Sequence, residues 1–415
     1  MQNKTERIDQ IAALCGMMWF MLIIDACFTW FMEEAYRDVL GFLFVFYATM
    51  LLSLNHGVDM SGKRSGLLIS VFVLMVYMIL SKSAFVIFKY LPFLCVISWR
   101  DSTLFRMYIY FRKFVIVYTI ISIVVEILVV TRIWAYLPCI TIFPPQNSVQ
   151  EALGYVNYFY GICIIPSPDK SLTFYRACGP LMEGGHFVFF IGFVYLVEKG
   201  LFGKRNIWLI VCGILTLSPN FVVLFLITES YCAIKQKQYM KPLLGILGVI
   251  AGVILVFLFS PQYIKDEIVQ IVYRRLLEES IENTDSEGLM AILDGRAGGD
   301  GLILYQNFLK SGIMEKLTGY SRSLEGTEAM SDYRWFLMYC GYIGATLVLW
   351  CSYKISFWKR KNIYGVCILL FAIVVFVQRS WMFVHVYIWV MMLLTTVAFE
   401  FSKRNSCKYV RVSKK

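Results

Sequence analysis

About a dozen apolar stretches run through the chain, and the connections between them sort by charge into two alternating sets. Short basic connections alternate with acidic or mixed ones, as the positive-inside rule expects of a multi-span membrane protein. A bilayer core needs about 20 apolar residues per helix, and the runs here repeatedly approach or reach that length. With 59% hydrophobic and only 16% charged residues, an ordinary water-soluble core is excluded. The sequence predicts an all-α polytopic protein, with residues 1–415 forming one integral membrane domain of about twelve transmembrane helices.

The expected spans are 11–32, 39–54, 66–80, 84–99, 114–131, 186–201, 207–217, 220–234, 242–259, 336–352, 363–378 and 381–400. Placing the N-terminus inside puts Lys63-Arg64, Arg100 to Lys113, Lys204-Arg205, Lys235 to Lys241 and Lys354 to Lys361 on one side, and both termini in the cytoplasm. Ile11 to Met32 is too long for the apolar region of a signal peptide and reads as a retained first span. The short pair 207–217 and 220–234, joined by Ser218-Pro219-Asn220, reads either as two tilted spans or as a broken re-entrant element.

Only two connections are long, about 132–185 and 260–335, and both fall on the outer side. A chain whose sizeable polar surfaces are all external is expected to work there. The first loop is rich in Pro, Tyr and Ile. The second opens with an apolar stripe, Ile264, Ile268, Ile271, Val272 and Leu276, at helical spacing, which predicts a surface helix. Leu302 to Met314 reads as another amphipathic helix.

The net charge of +11 does not point to nucleic acid, because Lys and Arg gather beside the spans rather than in a basic, aromatic-interleaved stripe. The twelve cysteines include no CxxC pair and no Cys/His cluster at metal-ligand spacing. Cys139, Cys163 and Cys178 share the first outer loop, where one disulfide would be chemically allowed.

Arg176 in the first outer loop, and Arg296, Arg322 and Arg334 in the second, are the cations that stand out. An arginine fork near a bilayer surface suits a phosphate or diphosphate, though each also suits a neighbouring acid such as Asp294 or Asp332. Glu183 sits where the chain enters the sixth span, with Arg176 before it and His186 after it. A carboxylate there suits a general base, and equally a residue favouring the positive end of a helix. His186 is a candidate to tune that carboxylate or to bind a sugar hydroxyl. Asp25, Glu126 and Lys89 lie in apolar runs, where an ionisable group is costly without a partner. Gly295 to Gly301 lacks the strand and Lys-Ser/Thr ending of a P-loop, so nucleotide binding is not expected.

Taken in order, these segments resemble a known family. Arg176-x-x-Gly179-x-x-x-Glu183-Gly184-Gly185-His186-Phe187 resembles the Arg…Gly…Glu-Pro segment that precedes a span in bacterial O-antigen polymerases. Gly295-Arg296, Gly319-Tyr320, Ser331-Asp332-Tyr333, Gly341 and Gly344 resemble that family's second conserved region, and Thr216-Leu217-Ser218 resembles its Thr-x-Ser. Gly184 departs from the family's usual proline.

The resemblance implies a glycosyltransferase that polymerises oligosaccharide repeat units carried on undecaprenyl diphosphate, for capsule or lipopolysaccharide, at the outer face of the bacterial cytoplasmic membrane. It implies no metal or other cofactor. Its partners would be the lipid-linked oligosaccharides and membrane lipid, together with a chain-length regulator and a flippase. On that reading Arg176, Arg296 and Arg322 hold the diphosphate. Glu183, with Asp332 behind it, takes the proton of the incoming hydroxyl, and His186 and Tyr320 contact the glycan. The related O-antigen ligases resemble one another in carrying a second-loop histidine, and residues 260–335 contain none. A flippase or other transporter of lipid-linked oligosaccharide remains the alternative from a different class, although a long outer loop is hard to explain there.

Overall fold

The computed structural model describes residues 2–24, 26–81, 84–142, 156–167, 176–181, 183–203, 205–237, 262, 265, 298–320, 332–359 and 361–409. Asp25, the expected span 242–259, most of the expected surface helix after Ile264, and Arg296 and Arg322 lie outside them. The described chain is mostly helical. Its helices are α1 (Gln2–Ile23), α2 (Glu34–Ser53), α3 (Gly62–Ser81), α4 (Ile87–Ser98), α5 (Asp101–Val130), α6 (Gly184–Phe202), α7 (Ile207–Leu215) and α8 (Pro219–Gln236). After the second long connection come α9 (Gly298–Lys310), α10 (Ile313–Thr318), α11 (Tyr333–Phe357), α12 (Ile363–Arg379) and α13 (Tyr387–Tyr409).

Among the described residues, six helical stretches are long and apolar enough to cross a membrane, namely Glu34–Ser53, Gly62–Ser81, Asp101–Val130, Gly184–Leu201, Tyr333–Phe357 and Ile363–Phe383. They coincide with six of the expected spans. The first expected span does not run as one helix to Met32. α1 stops at Ile23, and the chain then turns through a 3-10 segment at Cys27–Thr29, where the Cys27 N–H donates to the Pro180 carbonyl at 2.8 Å. That tertiary bond to the first long loop is invisible in hydropathy.

Packing explains which apolar helices face protein. α6 and α13 lie at the centre: 83% of the apolar window of α6 is buried, and Val386 to Val397 are buried without interruption. α2, α3 and α5 expose one apolar face each, with Leu43, Phe72 and Ile127 about half exposed. That is the arrangement of helices with lipid on one side and protein on the other.

One departure from an all-α chain is a small antiparallel sheet in the first long loop, ordered β1 (Ile140–Ile142), β2 (Val156–Phe159), β3 (Ile164–Ser167). Its registers pair Ile140 with Phe159 and Phe159 with Ile164. β-branched and aromatic residues supply these strands, as a half-buried pleated surface favours. Phe159 and Ile164 pack on Cys27 and Trp30. Cys139, Cys163 and Cys178 are all free thiols.

At the basic end of the bundle, Arg64 is wholly buried and donates to the Ile97 and Trp99 carbonyls and to Asp101 at 2.5 Å. It also faces Asp59 at 3.1 Å, and Lys359 joins the same Asp101 at 2.9 Å. Arg100 pairs Asp9 at 2.7 Å. These bonds tie the α2–α3, α4–α5 and α11–α12 connections together, and α1 to α5.

α11 is broken at Gly341, which has φ 63° and ψ −177°. The carbonyls freed by the break find other donors: Met338 accepts from the Tyr320 N–H at 2.6 Å, and Cys340 from the Tyr77 hydroxyl. α10 ends against this break. A Cβ on Gly341 would stand 2.2 Å from the Leu317 carbonyl oxygen, and one on Gly319 would stand 2.7 Å from the Gly341 nitrogen. Only two glycines allow so close an approach, and it fixes the end of the second long loop to a membrane-spanning helix.

Candidate functional site

The site is built where half-buried Arg176 and the buried segment Ala177–Leu181 meet the start of α6 and the break between α7 and α8. Nine residues make α7 about 13 Å long, well short of a hydrocarbon core of about 30 Å. The short pair of the sequence forms two helices, α7 and α8, separated at Thr216-Leu217-Ser218, where Leu217 has φ 46°. Thr216 closes the turn, its hydroxyl donating to Gly213 at 2.6 Å and accepting from the Ser218 N–H at 3.3 Å. Arg176 donates to the Thr216 carbonyl at 3.2 Å, and the Ala177 N–H donates to that of Leu215 at 3.1 Å.

Gly184 seals this junction. A Cβ there would lie 2.9 Å from the Ala177 carbonyl oxygen and 3.0 Å from that of Thr216. The position where the resembled family carries proline has, in this fold, no space for a side chain. Glu183 immediately precedes as the N-cap of α6, with φ −137° and ψ 144°. Its side chain accepts no capping bond from its own helix.

Instead, Glu183 Oε2 accepts from Arg379 Nη2 at 2.7 Å. His186 Nε2 stands 3.8 Å from the same oxygen, beyond hydrogen-bond reach, and is buried with no hydrogen-bond partner among the described residues. The Glu183 and Arg379 side chains are 29% and 21% exposed, so the pair is not sealed within the bundle. A carboxylate, a guanidinium and an imidazole thus meet at one point. The chemistry available to them is anion binding and proton transfer.

Sequence reasoning passed over Arg379. The signal was present: Arg379-Ser380 is the whole connection between two apolar runs, and a lone cation in a two-residue turn calls for a partner. Ser380 Oγ donates to the Asp332 carbonyl at 2.6 Å, which brings the start of α11 to the same place.

The Asp332 carboxylate itself is engaged. It caps α11, accepting from the Arg334 N–H at 2.9 Å and from the Arg334 guanidinium at 2.9 and 2.7 Å, and only 1% of its side chain is exposed. Tyr320 sits in the junction with the broken α11, its ring 5.6 Å from that of Phe308. The described site therefore gathers Glu183, His186 and Arg379 beside Arg176. Tyr320 belongs to the α10–α11 junction, and Arg296 and Arg322 lie outside the described residues. Among the described residues, no group of three or more His, Cys, Asp and Glu side chains is placed to hold a metal ion.

Beyond His186, the ring of Trp381 lies 4.9 Å away, and that of His385 lies 5.5 Å further on from Trp381. His385 Nδ1 is 3.4 Å from Lys89 Nζ, which pairs with Glu34 at 2.5 Å and Asp38 at 3.6 Å. Lys89, an intramembrane cation in the sequence, is thereby neutralised by α2.

Compared with protein-family models and with curated proteins, the chain matches none.

Proposed function

We propose that the chain is a polymerase of undecaprenyl-diphosphate-linked oligosaccharide repeat units, working at the outer face of a bacterial cytoplasmic membrane. The observation that carries this reading is the meeting of Glu183, Arg379 and His186 beside Arg176, at the start of a buried membrane-length helix. The motif resemblance names the reaction class, and the gathered groups are those the reaction needs.

In this reading a hydroxyl of the incoming lipid-linked unit attacks the anomeric carbon of the growing glycan. The new C–O bond forms as the bond from that carbon to the diphosphate breaks, and undecaprenyl diphosphate leaves. Glu183 takes the hydroxyl proton, and the cations Arg176 and Arg379 stabilise the departing diphosphate. Arg296 and Arg322 remain candidates for the same clamp. Glu183 leads Asp332 as the base because its carboxylate is accessible, whereas that of Asp332 is closed off by Arg334. The remaining part of the proposal is twelve spans with both termini cytoplasmic, which puts the Glu183 end of the bundle outside.

Replacing Glu183 by Gln in a cell that depends on this chain for its surface polysaccharide tests the reading. At unchanged protein level, the polymer is expected to collapse to single repeat units. Unchanged polymer length and amount would remove Glu183 as the base.

A further inference from the structure

Trp381 lies midway along a strip of polar groups that crosses the apolar bundle from α6 to α4. It is half-buried, in the 3-10 turn Ser380–Phe383 that joins α12 to α13. His186 meets it at an interplanar angle of 73° and His385 at 86°. Each histidine leads to an ion pair, Glu183–Arg379 on one side and Lys89–Glu34 on the other. One indole is thus flanked by two imidazoles and two charged pairs.

This strip is not sealed. The Lys89 and His186 side chains are each 12% exposed, Arg379 21%, Glu183 29% and Glu34 44%. Among the described residues, His186 Nε2 has no hydrogen-bond partner.

A pyranose has apolar C–H faces and a rim of hydroxyls. It is recognised by an aromatic ring beneath one face and by polar groups, in part charged, around the rim. We propose that Trp381 and His385, with the Lys89–Glu34 pair, form a saccharide subsite next to Glu183, which holds one pyranose of the lipid-linked chain. The assignment rests on the polymerase reading above. Trp381 is the stacking platform, and His385 with Lys89 and Glu34 meets the hydroxyls. The subsite brings the glycan alongside the carboxylate that takes its proton.

The test uses the full-length protein in lipid nanodiscs and two probes: undecaprenyl diphosphate, and undecaprenyl diphosphate carrying one N-acetylhexosamine. Affinity for each is measured by thermophoresis, and a melting temperature reports folding. The sugar is expected to tighten binding about tenfold in the wild-type protein and in Trp381→Phe, which keeps an aromatic ring. In Trp381→Ala and His385→Ala that increment falls away, while affinity for the sugar-free lipid is unchanged. A full sugar increment in a folded Trp381→Ala protein, or none in the wild type, overturns the subsite. A Trp381-dependent increment without any glycan polymerisation overturns the polymerase reading and leaves the subsite standing.

Discussion

The Glu183 carboxylate and the Arg379 guanidinium, 196 residues apart along the chain, meet at 2.7 Å. The contact joins the first long loop to the turn between the last two helices of the bundle. It pairs a cation with a carboxylate that can shed it: a diphosphate competing for Arg379 would release Glu183 to accept a proton.

Replacing Glu183 by Gln preserves a hydrogen-bond acceptor for Arg379 and removes the basicity. Glycan polymerisation is expected to fall by about 10²–10⁴-fold, the usual contribution of a positioned base, with little change in melting temperature. Full activity in this variant across the pH range would leave Glu183 with a helix-end role alone.

Arg379→Ala separates stability from function. Both side chains are mostly buried, so loss of the ion pair should cost more than a surface pair, about 1–3 kcal/mol of stability. Binding of undecaprenyl diphosphate, followed by titration in nanodiscs, is expected to weaken by about tenfold or more, with partial recovery in Arg379→Lys. Unchanged affinity would mean that Arg379 serves only to orient Glu183.

Gly341→Ala places a methyl group 2.2 Å from the Leu317 carbonyl at a backbone φ of 63°. The strain, with the steric conflict, is expected to cost about 2–4 kcal/mol and to undock α10 from α11. Faster proteolysis between Gly298 and Tyr320, read by mass spectrometry, would report it; an unaltered cleavage pattern would show that the junction relaxes.

Arg64→Ala takes a donor from the buried carbonyls at Ile97 and Trp99 and removes one of the cations that pair with Asp101. A loss of about 3–5 kcal/mol is expected from breaking a buried ion pair on one side. A melting curve matching the wild type would contradict the packing described for this end.

Asp59, in the α2–α3 connection, supplies a pH dependence. Partial burial alone would raise its pKa, but the Ser61 N–H and the Arg64 charge outweigh that and hold it below the usual carboxylate value. A lowered folded-state pKa gives stability that is present above the unfolded value and lost as pH falls through the folded one. Acid destabilisation below about pH 4 should therefore be shallower in Asp59→Asn than in the wild type. The difference is small because the side chain is 43% exposed. Identical acid profiles would remove Asp59 as a contributor.

Much of the scaffold could be read from hydropathy, because a helix such as Tyr333–Phe357 announces itself through length and apolar content. The broken pair α7 and α8 was readable as an anomaly, since both runs are short and Pro219 interrupts them. Its resolution was not readable, because the turn at Leu217 is held by Arg176 from 40 residues away. Glu183, His186 and Arg176 could be found because they cluster in the sequence. Lys89 stands out as an ionisable group in an apolar run and Arg379 as a lone cation in a short turn, but their place beside Glu183, with Trp381 and His385, is not readable, since only folding brings α4, α6 and the α12–α13 turn together. The small sheet was hidden because strands of three or four residues carry too little periodicity to stand out among turns.

The most direct test is an assay of the purified protein in lipid with its lipid-linked repeat unit, the products being separated by gel. The account predicts a ladder of lengthening glycans with release of undecaprenyl diphosphate, present for the wild type and absent for Glu183→Gln. No ladder, with the same lipid instead crossing the bilayer of sealed vesicles, would contradict it and identify a transporter.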